Sequence, residues 1–168
     1  MSPLVRRTLA PRGHTPILKT KAAHREKVSV TAALTISPKR HRLGLYWRTF
    51  PRSFVNGQKA ADFLRYLLHC LPGKMIVVWD GGPMHKGDAI RQVLHDFPRL
   101  SLERLPPYAP DLNPVEYLWG YLKYGKLPNF VPDDVLQLNV TLNDHLQRTR
   151  TCSDRLSGYF DAAKLPFR

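Results

Sequence analysis

An α/β fold with one mixed sheet follows from three observations. Residues 28–36 alternate as a strand does, residues 75–79 are an unbroken apolar run, and helical apolar stripes lie between and after them. In the first segment Val28, Val30, Ala32, Leu34 and Ile36 share one face and Ser29, Thr31, Ala33 and Thr35 the other, which predicts a strand with one buried face. Ser37 to Arg42 reads as a turn, and Leu43, Leu45 and Trp47 resume the alternation, so an antiparallel hairpin is expected. From residue 58 the spacing is helical: Phe63, Leu64, Leu67, Leu68 and Leu71 form one stripe, stopped by Pro72-Gly73. Cys70 falls inside this pattern and reads as a core thiol. Met75 to Trp79 predicts a central strand covered on both faces, ending at Asp80-Gly81-Gly82-Pro83. Ala89, Ile90, Val93, Leu94 and Phe97 mark a second helix, and Leu100 to Leu105 a further strand. Asn113-Pro114 opens the next helix as N-cap and first helical residue, with Val115, Leu118, Trp119 and Leu122 as its stripe. Two more helices are expected near 133–147 and 154–163.

The 168 residues have the size of one domain, and a hydrophobic content of 43% suffices for a single core. No apolar run reaches the roughly 18 residues of a membrane span, and no signal-peptide core follows Met1, so a soluble intracellular protein is expected. Cys70 and Cys152 stand apart, which indicates neither a disulfide framework nor a zinc site. Net charge is +13 and lopsided: residues 1–52 hold 12 Lys or Arg against the single acid Glu26. Residues 1–26, broken by Pro3, Pro11, Gly13 and Pro16, read as a basic arm or loop, and 27–168 as the domain. Such a distribution points to a polyanion, nucleic acid first, without implying that any base is read.

Two carboxylates stand out. Asp80 ends the apolar strand at a glycine-rich turn, and functional groups of open α/β sheets collect at the carboxyl ends of strands. Taken alone it reads first as an Asx-turn residue. Glu116 is the third residue of the helix capped by Asn113, where Asn-x-x-Glu also resembles a capping box. It lies off the apolar stripe of its helix, so it can face a cleft. Pro106, Pro107, Pro110 and Pro114 stiffen the turn before it beyond what a cap requires. As a pair, Asp80 and Glu116 suit a divalent cation such as Mg²⁺, which takes hard oxygen ligands and keeps several waters. His85 is an accessory candidate beside a phosphate or a ligand, or else a plain turn histidine. Asp111 and Asn113 are expected to serve the turn and cap, Tyr108 and Trp119 to pack rather than to stack on bases, and Asp62 and Asp88 to be solvated or capping helix residues.

Two segments carry a resemblance: V-V-W-D-G-G-P-M-H-K, residues 77–86, and L-P-P-Y-A-P-D-L-N-P-V-E-Y-L-W, residues 105–119, with 35 residues between Asp80 and Glu116. They resemble the DDE-superfamily transposases, closest to the bacterial insertion-sequence family numbered six-thirty, relatives of the mariner group. R-R-T-L-A-P-R-G-H-T-P, residues 6–16, resembles the arginine-rich loop after the first core strand of that family. The resemblance implies an RNase H-like mixed sheet flanked by helices, with Asp80 and Glu116 as catalytic, metal-holding residues for Mg²⁺ or Mn²⁺. His85 and Asn113 would be accessory, and Arg6, Arg7, Arg12, Lys39, Arg40 and Arg42 would grip DNA. It implies cutting of double-stranded DNA at element ends and joining of the 3′-hydroxyl to target DNA, in a bacterial cytoplasm beside the nucleoid. A homodimer, or pairing with an upstream transposase segment, is the partner expectation.

One departure from the family pattern changes these expectations. The family's first acid stands on its first, central strand, upstream of the arginine loop, and before Asp80 this sequence has only Glu26 and Asp62. The chain is therefore expected to lack the central strand and the first acid, to be inactive alone, and to expose unpaired strand edges. A non-catalytic DNA-binding or inhibitory transposase fragment is the alternative reading, and another RNase H-like nuclease a further one.

Overall fold

Two hydrophobic cores, each built on a pair of strands, organise the chain in the computed structural model, which describes residues 7, 9–14, 17, 27–37, 42–82, 85 and 87–165. The first core rests on β1 (Val28–Ser37) and β2 (Arg42–Pro51), antiparallel with Val28 opposite Pro51 and Ser37 opposite Arg42. Their inward residues pack against α3 (Pro114–Gly120), α4 (Val135–Arg150) and α5 (Ser153–Ala162). Leu118, Leu122, Leu142 and Leu146 are completely buried there, each worth about 1.5–3 kcal/mol of apolar burial. The hairpin is also tied to α4 by polar contacts. Trp47 Nε1 donates to Asn143 Oδ1 at 2.8 Å, and Asn143 Nδ2 donates to Thr49 Oγ1 at 3.3 Å.

The second core joins α1 (Gly57–Cys70) and α2 (Asp88–Asp96) to β3 (Met75–Trp79) and β4 (Leu100–Arg104). These strands are parallel, Met75 facing Leu100 and Trp79 facing Arg104, with α2 as the crossover. Asn56 caps α1 by accepting from Lys59 N at 3.0 Å. The guanidinium of Arg99 donates to the carbonyls of Leu68, Leu71 and Gly73, fastening the start of β4 to the end of α1. Gly73, at φ 85, makes the turn that only a residue without Cβ takes cheaply. Between the cores, Tyr66 of α1 meets the Tyr46 ring edge-on at 6.3 Å, with Arg48 4.8 Å above the Tyr66 ring.

The mixed α/β class and the expected order of strands and helices stand, while four sequence expectations change. Among the described residues the strands form two separate pairs, not one sheet. Met75–Trp79 is not covered on both faces: Ile76 and Val78 are 69% and 57% exposed, because only α1 and α2 pack on β3 and they take its Met75, Val77 and Trp79 side. Cys70 is exposed, since it follows the inward stripe ending at Leu68 by two residues and so points away from the core. The helix from Pro114 does not end as an α-helix but widens into a π-helical segment, Tyr121–Lys126. The turn residues Lys39 and Arg40, like Arg6, lie outside the described residues.

The free edge and bare face of β3 should make residues 1–168 self-associate, and their melt should be broad and low. Ile76→Lys combined with Val78→Lys should raise the soluble fraction in gel filtration and shift stability by no more than about 0.5 kcal/mol per site. A sharp, high-temperature melt of the unsubstituted chain without aggregation contradicts this. Leu142→Ala, in the first core, should cost about 2–5 kcal/mol in urea unfolding.

Candidate functional site

The site is built where β3 and β4 end together. Leu105 N donates to Trp79 O at 2.8 Å, prolonging the parallel ladder by one bond past β4. That bond sets Asp80 beside the start of the proline turn. The chain then runs through Pro106 to Ala109, makes a 3₁₀ turn at Pro110–Leu112, and enters α3. Asn113 N donates to Pro110 O at 2.9 Å, and Asn113 Oδ1 accepts from Val115 N at 3.1 Å. Tyr117 Oη donates to the carbonyl of Asp111 at 3.3 Å, fixing the turn to the helix it precedes. The result is one open cavity of about 200 Å³ lined by Asp80, Gly81, Tyr108, Pro110, Asn113 and Glu116, with residues 105–107 and 109 completing its wall.

Asp80 is both a turn residue and an exposed carboxylate. Its Oδ1 accepts from Gly82 N at 3.0 Å, as an Asx-turn requires, and lies 3.0 Å from His85 Nε2, while the side chain stays 62% exposed. A Cβ on Gly82 would stand 3.0 Å from that oxygen and 3.5 Å from the His85 ring, so a larger residue would make the carboxylate give by a few tenths of an ångström. His85 stacks on Trp79 with ring centroids 4.2 Å apart. Burial lowers the imidazole pKa, against the opposing pull of Asp80, so the ring is neutral at pH 7 and donates Nε2–H to the carboxylate. Its Nδ1 is then a lone-pair acceptor, buried with no hydrogen-bond partner among the described residues. His85 is thus held between the Trp79 ring and the Asp80 carboxylate.

Glu116 is not a capping-box residue. The Asn113 amide it would have served donates to Pro110 O, and no hydrogen bond or ion pair from the Glu116 carboxylate occurs among the described residues. It is exposed in the first turn of α3, where unpaired amides favour an anion. The two carboxylates supply hard oxygen ligands of the kind Mg²⁺ takes alongside waters, which fits a divalent ion held in part by solvent. Among the described residues no group of three or more His, Cys, Asp or Glu comes together, so these two do not form a complete protein cage.

The other candidates divide. Asn113 caps α3 as expected and also lines the cavity. Arg7, Arg12 and Arg42 are exposed and are not part of its lining. Asp62 bonds Gln58 and Arg65, and Asp88 pairs with Arg91, both as surface helix residues. Trp119 packs against the first core as expected. Tyr108 does not: it is fully exposed on the cavity rim, at φ 58. Flanking prolines were the available sign that this tyrosine could not turn inward. The Trp79–His85–Asp80 contact had no periodic signal in the sequence.

An α/β domain that sets a strand-end aspartate and a helix-start glutamate on one cavity belongs to the carboxylate sites able to hold a divalent cation. The chain is a member of the DDE superfamily endonucleases, whose family model matches residues 2–135. No curated protein matches it. Among solved structures it is similar to the Mos1 transposase paired-end complex with left transposon end, at 21% identity and a TM-score of 0.62, covering 98% of this chain and 48% of that one. It is also similar to the catalytic domain of Mos1 mariner transposase, at 18% identity and a TM-score of 0.56, covering 83% and 76%. A third is the Mos1 transposase catalytic domain and Raltegravir with Mg, at 20% identity and a TM-score of 0.53, covering 83% and 77%. The fold is therefore the RNase H-like one of that catalytic domain, and the chain spans about half, 48%, of the paired-end transposase chain.

Asn113→Ala should cost about 1 kcal/mol of stability by removing the cap, and Glu116→Gln about 0.3–1 kcal/mol by removing the charge at the helix start. Protonating His85 opposes its burial, so the folded pKa lies below the ordinary value of about 6.5 and stability should fall as pH drops below that value. His145, lowered also chiefly by burial, adds a slope of the same sign. Unfolding measured from pH 8 to pH 5 should show the loss, and His85→Gln should reduce it.

Proposed function

We propose that this chain is the catalytic portion of a DDE transposase of the insertion-sequence family numbered six-thirty, acting on double-stranded DNA by divalent-metal phosphoryl transfer. The observation that carries the reading is the placement of Asp80 and Glu116 on one exposed cavity, with Glu116 excused from capping duty. Family membership and the likeness to Mos1 structures, one with a transposon end and one with Mg, support it. Asp80 and Glu116 would hold the metal, which activates the attacking oxygen and stabilises the leaving one when bound. His85 keeps Asp80 oriented by its Nε2–H, and Asn113 with the proline turn holds Glu116 at the helix start. The net charge of +13 and exposed Arg7, Arg12 and Arg42 favour the DNA backbone.

A third carboxylate completes this chemistry, and the described residues do not bring one to the cavity. Asp62, the described acid before β3, is engaged on α1. We infer that the third acid comes from residues outside the described ones. A non-catalytic role, binding DNA or inhibiting through pairing with intact transposase, is the second reading.

Residues 1–168 should show no Mg²⁺-dependent nicking of supercoiled DNA, and joining the upstream coding segment should restore it. In that longer protein Asp80→Asn or Glu116→Gln should each lower the rate by about a hundred- to a thousandfold, as removing a group that stabilises transition-state charge does. Cleavage that survives both changes refutes the assignment.

A further inference from the structure

We propose that Tyr108 is a base-stacking residue: its ring takes an unpaired base of the DNA strand whose phosphate reaches the cavity of Asp80 and Glu116. The proposal rests on the DNA reading above and adds a contact to it. The chain has seven tyrosines. Six of them make contacts within the protein: Tyr46 with Tyr66, Tyr121 with Tyr159, Tyr117 with the Asp111 carbonyl, and Tyr124 with a further partner. Tyr108 makes none among the described residues and is fully exposed.

Its backbone makes the exposure costly rather than incidental. At φ 58 a tyrosine Cβ crowds its own backbone, in a conformation glycine takes without strain. The turn imposes it. Leu105 N–H is bonded to Trp79 O on one side, Leu112 N–H to Ala109 O on the other, and Pro106, Pro107 and Pro110 restrict what lies between. A bulky aromatic held in a strained conformation, in water, contributes nothing to folding. Strain of this kind collects at ligand sites, and this ring stands on the rim of the cavity that holds both carboxylates.

The chemistry of the site selects the ligand. A planar ring beside a phosphoryl-transfer cavity, on a chain of charge +13, fits a nucleobase, whose π-face any aromatic side chain can stack on regardless of sequence. Bases within a duplex already stack on their neighbours, so the base that Tyr108 takes is an unpaired one, at a frayed or overhanging end.

The test uses the full chain with a short duplex carrying 2-aminopurine in a single-stranded overhang, and the same duplex blunt-ended. The unsubstituted chain and Tyr108→Phe should quench the fluorophore on binding. Tyr108→Ala should lose the quench and bind the overhang about tenfold more weakly, with blunt-duplex affinity unchanged. Thermal melts of Tyr108→Ala and Tyr108→Gly at or above that of the unsubstituted chain exclude a folding role. Tyr108→Ala that still quenches, or that loses blunt and overhanging DNA equally, overturns the stacking role and leaves the DNA reading standing. A chain mass that falls with Tyr108→Ala while overhang binding does not change assigns the ring to a second copy and overturns it too. If the unsubstituted chain binds neither DNA even at low salt, the DNA reading falls and the stacking role with it.

Discussion

The hydrogen bond from Leu105 N–H to the Trp79 carbonyl is the joint on which the site depends. It is the last rung of a parallel ladder, made between the final residue of β3 and the first residue after β4. Beyond it one chain turns through glycines and the other through prolines, and each carries a carboxylate away in a fixed direction. Without that rung the start of the proline turn would hang from Arg104 alone, and Glu116, held on α3 in the first core, would lose its tie to Asp80. Stiffness downstream is useful only because the anchor upstream is fixed, an order of dependence seen again in Arg99, which secures the opposite end of β4 to α1.

Around Asp80 the same economy appears at shorter range. Trp79 presents a flat face to His85, and His85 presents its Nε2–H to Asp80. Gly82 stays small so that the turn can close over the carboxylate. Four consecutive requirements, an aromatic, an acid, a residue without Cβ and an imidazole, occupy seven positions of the chain from residue 79 to residue 85. None of them touches the first core. This half of the cavity is therefore locally encoded, whereas Glu116 reaches the cavity through a turn and a helix that belong to the other packing unit.

Much of this was legible in the sequence. The alternation of Val28 to Ile36 and the stripe from Phe63 to Leu68 specify strand and helix because burial of one face is a local property with a period. Family membership was legible from residues 77–86 and 105–119, and the family match agrees. The antiparallel hairpin was legible too, but not the separation of the strands into two pairs, since periodicity shows which face is apolar and not what lies beside the strand. The run Met75 to Trp79 showed the same limit, for apolar composition does not say whether both faces find cover. Tyr108 was expected to pack because aromatics usually do, yet three prolines around it deny the backbone the freedom to turn inward. The pairing of His85 with Asp80 depends on ring stacking and a glycine turn, and neither leaves a repeating trace.

The division of the molecule into two cores has a consequence for how damage would spread. Asp80 is fixed to the α1–α2 side and Glu116 to the hairpin side, so the cavity is a seam whose shape records the alignment of two separately packed bodies. Their described side-chain contacts are few, chiefly the aromatic and cationic contacts of Tyr46, Arg48 and Tyr66. A slip there by the width of one atom would leave every helix and strand intact and still part the two carboxylates. In this chain, misalignment and unfolding are different injuries, and the first would silence the site while the secondary structure stayed whole.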